Sequence, residues 1–129
     1  MEIKTHKKID KSLCGIPVLV EEGRAVVRLK VDERMIADEK GLVHGGFIFG
    51  LADYCAMLTV NEPTVVLAGA NVKFLKPVVL GDEIEAEGRL VESKGKKKKV
   101  EVEVKKGEEL VFKGEFFCVV PEKHVLEMN

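Results

Sequence analysis

The sequence predicts an α+β fold in which an antiparallel β-sheet of six strands curls around one long central α-helix. Three observations carry this. From Phe47 to Val60 the chain is almost wholly apolar, with Asp53, Tyr54 and Thr59 as its polar side chains, and a helix apolar all round is a buried one. Six extended segments flank it, separated by turn-forming residues. Val100, Val102 and Val104 alternate with Lys99, Glu101, Glu103 and Lys105, the signature of a sheet with one wet and one dry face.

The elements follow in order. Residues 1–15 are polar and charged, with a short helical turn near Ile9 to Leu13, and read as a lead-in to a single domain over residues 16–129. Pro17 to Glu21 and Arg24 to Val31 form a hairpin about Glu22-Gly23. A charged, turn-rich stretch then ends at His44-Gly45-Gly46, where the helix begins; it runs to about Val60, with Pro63 enforcing the stop. Strands are expected over Thr64 to Leu75, Glu83 to Ser93, Lys97 to Lys105 and Glu108 to Val120. The breaks between them, Lys76-Pro77 with Gly81-Asp82, Ser93-Lys94-Gly95 and Lys106-Gly107, suit antiparallel connections.

Composition narrows the function. With 129 residues there is room for one core but not for a cofactor domain beside a substrate domain. Twenty-one basic against 22 acidic residues offer no global attraction to nucleic acid or membrane. The Lys94 to Lys99 run lies at an expected hairpin tip without interleaved aromatics and reads as a solvated turn. Cys14, Cys55 and Cys118 are odd in number and lack metal-binding spacing, so they read as reduced thiols, and no metal site is expected. The N-terminus lacks an apolar leader core and no stretch reaches membrane-spanning length, which makes a cytoplasmic protein the expectation. The absence of Gln, the scarcity of Asn and the wealth of Lys and Glu hint at a thermophile.

Asp53 is the one charge in the apolar helix, and its burial raises its pKa unless it is paired. Gly45 and Gly46 at the helix start present unpaired N–H groups, partial positive charge and no side chain to obstruct a ligand. The plainer alternatives are a structural acid at a subunit interface, and glycines at 46 and 50 that, with Ala56, make room for sheet packing. His44 reads first as a capping or packing residue. Gly46 and Asp53 share a helix face but stand roughly 10 Å apart along the axis. One reacting carbonyl cannot meet both an acid and an N–H donor over that span, so if both serve one reaction the donor comes from a second copy in a symmetric dimer.

The segments VHGGFIFGLADYCAML and NVKFLKPVVLGDEIEAEG resemble the hotdog-fold acyl-CoA thioesterases of the phenylacetic-acid-degradation (PaaI-like) type, over about residues 16–120. The resemblance implies sheets joined edge to edge in a homodimer, further assembled into a homotetramer, with a substrate channel at the dimer interface. It implies that Asp53 is the general base or nucleophile and that the Gly45 N–H polarises the thioester carbonyl in the partner's site. His44, Gly46 and Asp38 are then supporting residues. Asp38 departs from the pattern, since many members have Asn there, and an ionised Asp only accepts hydrogen bonds. Lys73, Lys76 and Phe74 on the NVKFLKP segment are substrate-binding candidates, the two lysines for the nucleotide phosphates of coenzyme A, while Phe47, Phe49 and Met57 read first as core and otherwise as lining for the acyl pocket.

The expected function is hydrolysis of a small or medium acyl-CoA, coenzyme A being part of the substrate and no cofactor being needed. A non-catalytic acyl-CoA sensor is the alternative; such proteins have a fused regulatory domain and a degraded helix motif, neither of which is visible in this sequence. A hydratase or dehydratase of the same fold fits the His44-Gly45-Gly46 and Asp53 pattern less well.

Overall fold

The computed structural model describes residues 1–128. Its elements are α1 (Lys11–Cys14), β1 (Ile16–Glu21), β2 (Arg24–Lys30), α2 (Gly45–Val60), β3 (Val66–Phe74), β4 (Glu83–Lys94), β5 (Lys97–Lys106) and β6 (Glu109–Val119), with single 3₁₀ turns at Glu33–Met35 and Val125–Glu127. The six strands form one antiparallel sheet in the order β1-β2-β4-β5-β6-β3. The expected strand wrapping around a single helix is what the chain adopts.

Burial follows the side-chain alternation most clearly on β5. Val100, Val102 and Val104 are buried, with Glu101, Glu103 and Lys105 exposed between them. The dry face closes on α2, whose Leu51, Ala52, Cys55, Ala56 and Leu58 have no exposed surface. Gly88 on β4 lets the helix settle close: a Cβ there would collide with Thr59 Oγ1 and stand 3.3 Å from Cys55 Sγ.

Three features differ from the sequence expectation. β3 pairs with β6 rather than with β4, so the segment between β3 and β4 is a crossing connection and β3 is an edge strand. That segment pairs instead with the loop before the helix, through Val43 N–H to Val78 O (2.8 Å) and Leu80 N–H to Gly41 O (2.8 Å). The helix stop belongs to Asn61, two residues before Pro63. Asn61 takes a left-handed conformation (φ 49°), and its N–H caps Met57 O at 2.8 Å. Residues 1–15 are more than a lead-in: Ile3, Ile9 and Leu13 pack against the core, and Asn61 clasps the segment by accepting from Lys4 N–H and donating to Glu2 O, both at 2.8 Å. The helical turn sits at Lys11–Cys14, with Asp10 as its cap.

The Lys94 to Lys99 run is the β4–β5 hairpin, turning at Gly95 (φ +60°). All three cysteines are free thiols, Cys55 and Cys118 buried and Cys14 half-buried. Among the described residues, no helix is long and apolar enough to cross a membrane.

Candidate functional site

The helix start is held from several sides. His44 N–H donates to Met35 O (2.8 Å), and Val43 is tied to Val78 as above. Asp38 Oδ1 accepts from Lys40 N–H and Leu42 N–H, both at 3.0 Å, closing the turn that delivers the chain to the helix. An acceptor is all this turn requires, and the Asp38 carboxylate supplies it. Asp38 shapes the approach to the site and is exposed to solvent.

His44 is the N-cap. Its Nδ1 accepts from Gly46 N–H at 2.9 Å, which leaves that nitrogen unprotonated and engaged. The Gly46 N–H is thereby consumed. Among the described residues the Gly45 N–H makes no hydrogen bond. The helix start thus offers one free donor backed by the positive end of the helix dipole.

Phe74 overlies Gly45. A Cβ at position 45 would stand 3.1 Å from Phe74 Cε2, and the Phe74 ring rests edge-on against Phe112 with centroids 5.1 Å apart. Gly45, Ile48, Phe74, Lys76 and Val78 line an open cleft of about 350 Å³ that is more apolar than polar. Lys76 and Phe74 therefore lie beside the helix start. Lys73 does not: as the neighbour of Phe74 on a strand it faces the other side of the sheet, in a groove with Arg89, Glu101 and Lys113.

Asp53 stands two turns further along α2, outside that cleft. Its Oδ1 is buried without a hydrogen-bond partner, and burial pushes the carboxyl up to about 6. Its charge also reaches the Cys14 and Cys118 thiols, which burial and the nearby carboxylate both hold above their ordinary value. An orphaned buried carboxylate oxygen costs on the order of 1–3 kcal/mol or more, so the fold does not gain by keeping it.

The glycines behave differently from the packing alternative. A Cβ on Gly46 would meet only the His44 ring, and one on Gly50 would meet nothing within 4 Å, so neither glycine makes room for the sheet. Phe49 leans on Phe116 (centroids 5.5 Å apart) and Met57 is buried in the core.

The helix wrapped by an antiparallel sheet is the hotdog arrangement. A crystal structure of an uncharacterized protein from Pyrococcus horikoshii matches it with a TM-score of 0.97 at 56% identity, over 98% of this chain and 97% of that one. A Streptococcus mutans protein crystallised with acetyl CoA matches at TM-score 0.77 and 28% identity, over 85% and 90% of the two chains. An Aquifex aeolicus protein named methylthioribose-1-phosphate isomerase is 65% identical over 119 residues, 92% of this chain but 26% of that protein. A Caldanaerobacter subterraneus transcription factor FapR is 29% identical over 104 residues, 81% of this chain and 52% of that protein. The chain thus spans between a quarter and about half the length of these two curated relatives. Residues 40–113, which contain the whole of α2 with Asp53 and β3 to β5, match the Thioesterase superfamily, and the chain belongs to that family.

Proposed function

We propose that this domain hydrolyses the thioester of a small or medium acyl-CoA at a site completed by two copies of the chain. The observation that carries the reading is the unpartnered, buried Oδ1 of Asp53, on a carboxyl raised to about 6. At neutral pH such a group is mostly ionised yet basic enough to take a proton, which suits a general base. The free Gly45 N–H supplies the complementary donor.

The two groups lie about 10 Å or more apart along one helix, so the Asp53 of one copy works with the Gly45 of the other. Asp53 removes a proton from water as the water oxygen attacks the thioester carbon. The carbonyl oxygen gains negative charge and is met by the Gly45 N–H. Collapse of the tetrahedral intermediate breaks the C–S bond, and the proton taken up by Asp53 passes to the departing sulfur, releasing coenzyme A as its thiol and the acyl group as the carboxylic acid. Lys76 at the mouth of the cleft is placed to attract phosphate, and Phe74 to contact the acyl or pantetheine chain.

The similarity to a protein named as a transcription factor supports a second reading, an acyl-CoA sensor without turnover. One experiment separates them: free-thiol release from short, medium, long and aromatic acyl-CoAs by the wild type and Asp53→Ala. Hydrolysis that the variant loses supports the enzyme. Binding of acyl-CoA without thiol release by the wild type supports the sensor, and undiminished hydrolysis by Asp53→Ala removes Asp53 from the mechanism.

A further inference from the structure

We propose that the acyl chain of the substrate lies over Gly50, in a trough on the open face of α2 flanked by Phe49, and that the residue at position 50 sets the length of chain admitted. This rests on the reading of Asp53 as the base and deepens it. It does not depend on which copy of the chain supplies the N–H donor.

The face of α2 that carries Asp53 gives the trough its direction. Positions 46, 49, 50 and 53 stand three and four residues apart and so share one side of the helix. Gly46 is exposed there, and Phe49, Gly50 and Asp53 are half-buried. Beyond Asp53 the face closes: Ala56 has no exposed surface and Met57 is 1% exposed. Along the helix, a chain joined to a carbonyl carbon beside Asp53 therefore has room only toward the helix start. One turn back in that direction Gly50 leaves a gap, since a Cβ on it would touch nothing within 4 Å. Gly50 has no positive φ, and glycine inside a helix is less favourable than alanine, so neither the backbone nor packing within the protomer calls for it. The flank opposite is firm. Phe49 rests on Phe116, and Phe116 on Phe112 with centroids 6.4 Å apart.

Chemistry assigns this trough to the acyl chain rather than to the pantetheine arm. No side chain from Phe47 to Ala52 carries a hydrogen-bonding group, and the backbone inside a helix is bonded to itself. The amides of pantetheine would lose water there without gaining a partner, whereas each methylene buried gains about fourfold in affinity. The positive charge that suits the nucleotide phosphates belongs to Lys76, in the cleft at the helix start, which Asp53 does not line. The same reasoning disfavours an acyl chain that ends in a carboxylate. Such a chain would bring a second negative charge toward Asp53 along a stretch of helix that has no cation. The substrate class is thus an uncharged, apolar acyl chain.

The test is the chain-length profile. Free-thiol release from straight-chain acetyl- to decanoyl-CoA is measured for wild type, Gly50→Ala, Gly50→Leu and Phe49→Ala, alongside circular dichroism and sedimentation. Gly50→Ala should fold at least as well as wild type, because alanine is the better helix former, and Gly50→Leu has room within the protomer. The ratio of kcat/KM for octanoyl-CoA to that for acetyl-CoA should fall stepwise, by about fourfold in Gly50→Ala and at least about tenfold in Gly50→Leu, as each methylene that loses its seat costs about fourfold. Phe49→Ala should move the preference toward longer chains. Succinyl-CoA should have a kcat/KM at least about tenfold below that of butyryl-CoA, which has the same number of acyl carbons. A wild type indifferent to chain length, equal losses at every length in Gly50→Leu, or an unaltered profile in that variant would overturn the proposal. So would a Gly50→Leu variant that sediments differently from wild type, because the gap would then belong to a second copy. The enzyme reading fails separately. A wild type that binds acyl-CoAs without thiol release sinks the hydrolase alone, and the same ratio read from Kd then decides where the acyl chain lies; a wild type that binds none sinks both.

Discussion

The Phe74 ring stands so close above Gly45 that a single added Cβ would lie 3.1 Å from its Cε2, and the N–H beneath is free. The ring is 53% exposed and can give way, so Gly45→Ala is expected to fold with stability within about 1 kcal/mol of wild type. The methyl group nevertheless sits where a carbonyl must approach the donor. We expect kcat/KM for acyl-CoA to fall by at least about tenfold, measured by thiol release alongside a thermal melt. A variant of unchanged activity would remove this N–H from the reaction.

Asp53 sets a pH dependence of activity. With its carboxyl at about 6, kcat/KM should fall below that pH with unit slope as the base becomes protonated, and level off above it. A flat profile between about pH 5 and 8 would exclude this carboxylate as the base.

The same group sets stability in the opposite sense. Its folded pKa is raised above the unfolded value of 3.8, so the folded state binds the proton more tightly. Its contribution is favourable below about pH 4 and is lost as pH rises through about 6. Asp53→Asn should therefore be more stable than wild type at about pH 7–8, by roughly 1–3 kcal/mol after allowing for partial solvent screening, with the difference vanishing near pH 4. Denaturant unfolding at the two pH values checks this. A variant less stable than wild type under the alkaline condition would contradict it.

Gly88→Ala tests the contact between helix and sheet. The added methyl would strike Thr59 Oγ1, itself bonded to Cys55 O at 2.8 Å, and the last turn of α2 would have to lift off β4. A loss of about 1–3 kcal/mol is expected in equilibrium unfolding.

Asn61 combines a left-handed conformation with two hydrogen bonds to residues 2 and 4, and it is 4% exposed. Asn61→Gly should lose only the bonds, whereas Asn61→Ala should lose them and bear the backbone strain as well, making it the less stable of the two by about 1 kcal/mol. Both should release the N-terminal segment to limited proteolysis. Equal stability of the two would show that the backbone conformation relaxes.

Several elements were legible because their signals are local. The helix opens at Gly45 and ends at Val60, and β4, β5 and β6 end within a residue or so of their turn signals. Asp53 was visible as a lone charge in an apolar run, and His44 as a cap. The split of Lys73 from Lys76 was not. It depends on which way β3 faces once paired with β6, a contact between residues some forty positions apart. The alternative that Gly50 makes packing room for the sheet fails on the structure, because sequence shows that a side chain is missing and not what lies above the gap.

Sequence alone determined the helix, the strand count, the free thiols and the acid with its helix-start glycines, since periodicity, turn chemistry and charge are properties of neighbouring residues. The tertiary structure decided the edge position of β3, the occupation of the Gly46 N–H by His44 with the Gly45 N–H left free, and the orphaned oxygen of Asp53. Each of these is a statement about what a group does or does not touch across the fold, and burial and hydrogen-bond satisfaction exist only once the chain has closed on itself.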